Sequence, residues 1–273
     1  MFKKTILFAS VTAALMGPIS AQEGEAQATE TVPVSNPALD AILEHVPAIF
    51  DNAWKSTFHI SVTEGEKQNA DVTVGLKFQD KTHFAVNLDL TVEDDFEGEK
   101  QMNFTILADG TFLYVDSPSM AEVSGGMANG PVKVEIAVLE KMIGSQMGGM
   151  TGGGEMDKDA IKKLVGGALE KFTFKEEGSG EGLRRFTLAG DGLNGFVAFE
   201  KEHWFLSSLE MNFAEGEESG KAVVNASDIA LVEAFPEGTF TFAVAEGQTV
   251  MDLTPMMQMS MPQEEVADDD LEF

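Results

Sequence analysis

The residues of this chain that could perform chemistry are few and widely spaced. The four histidines stand at positions 45, 59, 83 and 203, without the His-x-x-x-His or His-Glu-x-x-His spacing that holds a metal ion. The chain has no cysteine, which excludes a thiol nucleophile, a thiolate metal ligand and a disulfide bond. We therefore expect no metal site.

Other catalytic patterns are also missing from the sequence. There is no G-x-S-x-G nucleophile elbow, and the segment from Gly178 to Gly180 is flanked by acidic residues, as in a turn. The glycines within 148–154 lack the Lys-Ser/Thr pair of a phosphate-binding loop. Paired carboxylates, at 94–95 and 217–218, fall between predicted strands, where water solvates them. The sequence predicts a protein that is not an enzyme and needs no cofactor.

The charge of the chain limits its partners. The formal net charge is −28 over 273 residues. A nucleic-acid backbone or an anionic lipid surface requires clustered Lys and Arg, so neither is an expected partner. The high negative charge is typical of a soluble protein.

The first 21 residues have the pattern of a cleavable export signal. Lys3 and Lys4 precede an apolar run from Thr5 to Met16, and the small residues Ser20 and Ala21 offer a cleavage site. The apolar run is too short to span a bilayer. We expect residues 1–21 to be a signal peptide and the protein to be exported, to the periplasm or, as the alternative, to the extracellular space.

Composition divides the remaining chain into three parts. Residues 22–35 are predicted to be a disordered acidic leader, and residues 254–273 a disordered acidic tail. Residues 36–253 keep one pattern and form one predicted domain. The domain begins with a helix capped by Asn36, after which apolar and polar residues alternate as in half-buried strands. The predicted strands include runs around 58–62, 72–78, 84–92, 102–106, 111–115, 172–174, 183–188, 196–200, 204–213, 222–230 and 240–244.

A helical insertion at about 131–170 interrupts the strands. A helical run is predicted from Pro131, a Gly- and Met-rich linker from Gly144 to Gly154, and a second helix from Asp157. The pair is either a crossover packed on the sheet or a mobile lid over an apolar cavity. The ten or eleven predicted strands suffice for one strongly curved antiparallel sheet, whose concave face must be filled by side chains, a helix or a ligand.

Two short motifs resemble the outer-membrane lipoprotein carrier family, the LolA and LolB group and its relatives. They are ADGTFLYVDSP at 108–118 and GTFTFAVAEGQTVMD at 238–252, and they follow the export signal, helix and strands in the family's order. The positions that carry the likeness are Asp109, Gly110, Tyr114, Pro118, Phe240, Phe242, Gly247, Val250 and Asp252.

The resemblance implies an incomplete β-barrel with a helical lid. It also implies a soluble carrier that binds a lipid or the acyl chain of a lipoprotein, with membrane-bound donor and acceptor proteins as partners. Lys81 is the nearest match to an arginine that the family ties to lid closure, and we expect it at the cavity rim, although lysine lacks the planar fork of donors. The expected cavity-lining residues are Phe78, Phe84, Phe104, Trp204 and Phe242.

One alternative to a carrier stays open. A structural or scaffolding protein of the cell envelope, with a filled core and no cargo, requires the same alternating strands. The 20 phenylalanines and 15 methionines could fill such a core without a ligand. The sequence does not decide between the two, nor does it give the cargo, the inward face of the sheet or the oligomeric state.

Overall fold

The architecture was analysed on a computed structural model of the chain. The structure describes residues 36–65, 67–94, 98–142, 169, 171–178, 180, 182–190, 192–215 and 218–260. The predicted signal peptide, leader, glycine-rich linker and most of the second insertion helix lie outside the described residues, as does the chain after residue 260.

The first helix forms where the sequence predicts it. The side chain of Asn36 accepts a hydrogen bond from the Leu39 backbone N–H at 3.3 Å, and Pro37 occupies the first turn. Leu39 and Ile42 are buried on the face that packs against the sheet. A 3₁₀ helix, Val46–Asp51, then leads into the first strand. The α-helices with two or more described residues are α1 (Pro37–His45), α2 (Met120–Val123), α3 (136–142) and α4 (Thr254–Ser260).

Within the described residues, twelve strands form one sheet. The strands of the first half are β1 (Ala53–Glu64), β2 (Lys67–Asp80), β3 (His83–Asp94), β4 (Gly98–Asp109), β5 (Phe112–Asp116) and β6 (Val132–Glu135). Those of the second half are β7 (Thr173–Glu177), β8 (Leu183–Gly190), β9 (Leu193–Glu200), β10 (Leu206–Glu215), β11 (Glu218–Val232) and β12 (Met251–Asp252).

The strand order is β12-β6-β5-β4-β3-β2-β1-β11-β10-β9-β8-β7. Two runs of neighbouring strands, β1 to β6 and β7 to β11, are joined where β1 pairs with β11. All pairs are antiparallel except β12 with β6, which is parallel. The strands β7 and β12 are the two free edges, so the predicted mainly-β fold, a strongly curved sheet left open as an incomplete barrel, is confirmed.

The predicted helix from Pro131 is wrong in its first turn. Val132–Glu135 is a strand that pairs with both β5 and β12, and the helix begins only at residue 136. Val132 and Val134 are β-branched and alternate with charged residues, which suits a strand between two partners better than a helix.

The segment after β11 also differs from the prediction. Residues 240–244, predicted as a strand, have no regular secondary structure. They belong to a segment at 233–250, which we call the strap, whose aromatic side chains contact the sheet instead of extending it. Residues 254–260, expected in the disordered tail, form α4, with Thr254 buried and the carboxylate of Asp252 accepting its backbone N–H at 3.0 Å.

The strand β10 is irregular near Ser207 and Ser208. The pairing of β10 with β9 shifts register between Leu206 and Ser208. The shift places Leu206 on the same face of the sheet as Leu209 and Met211. Among the described residues, the structure contains no helix with the length and apolar character needed to cross a bilayer.

Candidate functional site

One continuous row of apolar side chains crosses eight strands on the concave face of the sheet. Each residue is the direct cross-strand partner of the next. In spatial order from β8 to β4, the row is Phe186, Val197, Leu209, Val224, Ile60, Val72, Leu90 and Met102.

The burial of this row changes along its length. Phe186 and Leu209 are 0% and 1% exposed, and Ile60 on the central strand is 9% exposed. Beyond β1, the side chains of Leu90 and Met102 are only half-buried. The concave face therefore has a closed half over β7 to β11 and a less covered part over β2 to β4. In this second part most side chains are half-buried, although Val74 and Val86 are 8% exposed and belong to the core.

The closed half is filled by protein. Ile42 of α1 and Leu169 pack against Phe172, Phe199 and the neighbouring strand residues in one hydrophobic core. The gap that remains among them has a volume of about 10 Å³, close to the minimum for a single water molecule. An acyl chain does not fit there.

The less covered part is a trough lined by large apolar side chains. Phe78 faces Phe84 across β2 and β3, and Phe104 faces Leu88 across β3 and β4, so the three phenylalanines share the concave face. All of these side chains are half-buried. We define the trough by Val72, Leu76, Phe78, Phe84, Leu88, Leu90, Met102, Phe104 and Ile106.

Trp204 lies outside the trough. It sits in the turn before β10 with a φ of 60° and is 4% exposed in the closed half. Its ring lies 4.4 Å from the ring of His45 and 5.7 Å from that of Phe199, and the Arg184 guanidinium lies 4.8 Å from its centroid. Trp204 is thus a core residue that anchors α1 to the turn.

Phe242 lies on the opposite, outer face of the sheet. Its ring stacks on that of Tyr114 at 4.6 Å and an angle of 3°. Tyr114 is the cross-strand partner of Leu107, whose side chain points away from the face that carries Phe104 and Ile106. The prediction placed Phe242 with the cavity residues because the alternation of apolar residues does not distinguish between the two faces of a sheet. In the structure, Phe242 fixes the strap to the outer face.

The two motifs that carry the family resemblance meet on this outer face. Phe240 lies 6.1 Å from the ring of His83, and His83 in turn occupies the space beside Gly110. Gly110 has a φ of +96°, and a Cβ there would lie 2.7 Å from His83 Nε2, so only glycine fits the turn. The motifs are therefore structural in this chain and do not line the trough.

Asp109 is the electrostatic centre of this outer cluster. Partial burial opposes its ionisation, but the backbone N–H groups of Phe112 and Thr111, the hydroxyl of Tyr114 and the charge of His83 together lower its pKa below 3.8. The pKa of Tyr114 is raised by burial and by the hydrogen bond to Asp109. The cluster binds the β4–β5 turn to the sheet and shows no geometry for catalysis.

Lys81 lies in the turn between β2 and β3, at the end of the trough marked by Phe78 and Phe84. Its Nζ is 3.5 Å from a carboxylate oxygen of Glu140 on α3, and both side chains are more than half exposed. The ion pair connects the turn to the first part of the predicted helical insertion. An exposed pair of this kind contributes little to stability and is easily exchanged for another anion.

Sequence reasoning missed one polar group at the border of the trough. Trp54, on β1, is 4% exposed, and its indole Nε1 has no hydrogen-bond partner in the described part of the chain. Its ring lies 6.0 Å from that of Phe78. The sequence gave only a weak signal for this group: the tryptophan stands where the spacing of apolar residues changes from that of a helix to the alternation of a strand.

Two polar groupings lie elsewhere on the described chain. Glu200, Glu202 and His203 lie close enough together to hold a cation, but Glu200 already accepts the backbone N–H groups of the other two and so caps their turn. An open, polar pocket of about 340 Å³ lies at the ends of β1, β10 and β11 near Asn194, Ser219 and Lys221. Neither resembles an apolar cargo site.

Comparison with known proteins gives matches at the level of structure only. No protein-family model matches the sequence, and no curated protein matches it. LprF from Mycobacterium bovis aligns with 13% identity and a TM-score of 0.33 over 74% of this chain and 98% of its own. A LolA superfamily protein from Nitrosomonas europaea aligns with 10% identity and a TM-score of 0.27 over 75% and 98%.

The fold defines a class of protein: a mainly-β chain with one curved, open sheet whose concave face is apolar. At these identities and TM-scores, the two matches assign no function to this chain.

Proposed function

We propose that this protein is an exported carrier that binds the acyl chain of a lipid or lipoprotein in the trough over β2 to β4. Binding is reversible and involves no covalent chemistry. The observation that carries the proposal is the change in burial along a single apolar row, from 0% exposed at Phe186 to half-buried at Leu90 and Met102.

The trough has the right chemistry for an acyl chain. Its side chains are apolar across three adjacent strands, and Phe78, Phe84 and Phe104 supply large aromatic surfaces. Each methylene buried there contributes roughly 0.8 kcal/mol, so a chain of moderate length supplies micromolar affinity after the costs of association.

Lys81 stands where the polar end of such a lipid would emerge. The lysine is exposed and already paired with the carboxylate of Glu140, so an anionic head group can take the place of that carboxylate. Release of Glu140 would then loosen the contact between α3 and the sheet, which couples cargo binding to the insertion at 131–170. Donor and acceptor proteins in the membrane are the partners that such a carrier requires.

A fluorescent fatty-acid probe tests the proposal. We expect saturable binding, weakened at least about tenfold by Phe104→Asp, which places a charge in the apolar trough. The matched control is Gln101→Asp, on the outer face of the same strand, which leaves the affinity unchanged. Lys81→Ala weakens binding of anionic probes, whereas Lys77→Ala, an exposed lysine of β2, does not.

The competing function is a structural protein of the envelope with a filled core. The 10 Å³ gap beneath α1 favours it, because the closed half has no room for cargo. If a protein shown to be folded binds no lipid probe in a saturable manner, this second function is the correct one.

A further inference from the structure

Trp54 lies on the strand that separates the closed half of the concave face from the trough. Its ring centroid is 5.6 Å from that of Phe205 on the closed side and 6.0 Å from that of Phe78 on the trough side. Phe50 also packs against it, at 6.5 Å. Phe205 is buried, whereas Phe50 and Phe78 are both half-buried, so among the described residues the tryptophan lies at the border of the core.

The indole of Trp54 carries a buried donor without an acceptor. Its Nε1 has no hydrogen-bond partner among the described residues, although the residue is only 4% exposed. Buried donors nearly always find partners, and an indole N–H can only donate. Ser56, the next residue on the same face, shows the usual behaviour: its buried hydroxyl donates to the Ser227 carbonyl at 3.4 Å.

The second unpaired buried atom of the described chain is Nδ1 of His45. That ring contacts Trp204 in the closed half, where no cargo fits. In the part of the chain that the structure describes, Trp54 alone combines an unpaired donor with a position beside the trough.

We propose that the indole N–H of Trp54 donates to the carbonyl oxygen of a fatty acyl ester whose chain occupies the trough. This rests on the proposed function and deepens it, because it assigns the class of cargo. The group that reaches the indole is a neutral ester linkage and not a carboxylate, because the described rings around the indole are aromatic and a carboxylate among them would lack a cation. An anionic head group of the same lipid lies farther out, at Lys81.

The chain allows a direct test, since it contains only two tryptophans. The ¹H–¹⁵N spectrum of the protein therefore has two indole cross-peaks, and Trp204→Phe identifies that of Trp54. Methyl laurate, tetradecane and laurate are then added in turn at neutral pH. We expect methyl laurate to move the Trp54 indole proton downfield, and tetradecane to leave it where it was.

Affinities give the second readout. Methyl laurate should bind at least about fivefold more tightly than tetradecane, and more tightly than laurate, because it alone satisfies the donor without burying a charge. Trp54→Phe should remove the preference for the ester over the alkane, whereas Trp204→Phe should keep it. If Trp54→Phe does not fold, benzothienylalanine at position 54 keeps the bicyclic shape and removes only the N–H.

The outcomes separate the two proposals. If ester and alkane both bind, but their ratio is the same with and without the Trp54 N–H, the acyl chain site stands and the role of Trp54 is refuted. A Trp54 cross-peak that does not move while the ester is bound refutes it equally. If neither ligand binds the folded wild-type protein, the carrier function itself fails.

Discussion

Asp109 holds the turn between β4 and β5 through several hydrogen bonds. Its Oδ1 accepts the backbone N–H groups of Thr111 at 2.9 Å and Phe112 at 2.8 Å, and the carboxylate also accepts the Tyr114 hydroxyl. The backbone N–H of Gly110 donates to the Thr82 carbonyl at 2.8 Å, which ties this turn to the β2–β3 turn. One carboxylate thus orders the start of β5 and the tyrosine on which the strap rests.

Removal of this carboxylate should destabilise the protein in a pH-dependent manner. We expect Asp109→Ala to lower the free energy of unfolding by about 1–2 kcal/mol at neutral pH, since hydrogen bonds to a charged acceptor are lost. The folded-state pKa lies below 3.8, so the contribution of Asp109 is present above that value and is lost as the pH falls through the lowered one.

Denaturant unfolding between about pH 2 and pH 7 measures both effects. Asp109→Asn should flatten the loss of stability on the acid side, while Glu237→Gln, an exposed carboxylate in the strap, should follow the wild type. If the free energy of unfolding of Asp109→Asn falls with acid as steeply as that of the wild type, Asp109 is not the group responsible.

The strap at 233–250 is an element that the sheet holds through aromatic contacts. Phe242 stacks on Tyr114, and Phe240 lies 5.2 Å from Phe235 and 6.1 Å from His83. Beyond it, Met251–Asp252 pairs with β6, and Asp252 lies 3.4 Å from Lys133. The strap therefore lies on the outer face against Tyr114 of β5 and His83 of β3, and it leads into the strand at one edge of the sheet.

Phe242→Ala should loosen the strap without affecting cargo. We expect a loss of about 1–2 kcal/mol in stability from the stacked pair and its buried area, together with faster hydrogen exchange within 233–250. Because Phe242 lies on the outer face, the affinity for a lipid probe should be unchanged. Val244→Ala, at a side chain that is 49% exposed, is the control for truncation in the same segment. A loss of probe binding in Phe242→Ala would show that Phe242 lines the cargo site and that its assignment to the outer face is wrong.

At the scale of elements, period and turn chemistry predicted the strands that lie in local hairpins. The alternation in β1 to β4 gave the positions of these strands and showed which of their residues share a face, because neighbouring strands follow each other in the chain. The strand β6 was missed because it has only four residues and a helix follows it directly. Four residues are too few for the alternation of a strand to stand out from the helical spacing that follows. The phenylalanines of the strap alternate as a strand does, yet tertiary contact with Tyr114 and His83 decides their conformation.

Across the whole molecule, the concave face changes from core to trough at β1. From the alternation alone, the phenylalanines of β2 to β4 were correctly predicted to share one face of the sheet. Because both halves have the same apolar pattern in sequence, the alternation could not show which half α1 covers. For the same reason Trp204 was grouped with the trough, although the turn before β10 places it in the closed core. The packing of a helix over one half is a tertiary contact, and the alternation of apolar residues along the strands carries no information about it.

Two leucines on the same apolar row test this asymmetry. Leu209 is 1% exposed in the closed half, and Leu90 is half-buried in the trough. Leu209→Ala should cost about 3–5 kcal/mol of stability, and Leu90→Ala about 1–2 kcal/mol, because only the first leaves an enclosed cavity. For lipid binding the order should reverse: Leu90→Ala weakens the affinity, while Leu209→Ala, as long as it is folded, does not.

Chemical denaturation and titration with a lipid probe on the same two proteins check this prediction. Equal losses of stability would show that the trough is as well covered as the core, which would favour the structural function over the carrier.

The pairing of β1 with β11 has a consequence for how the chain acquires its structure. Ser56 and its partner Ser227 are 171 residues apart in sequence, yet this pair of strands joins the two halves of the sheet. Strands β1 to β6 can form hairpins as soon as they are synthesised, but α1 packs on strands that come later, and long-range pairing is slow. A ribosome must therefore finish most of the chain before the core can close, and until then the chain can hold only its local hairpins.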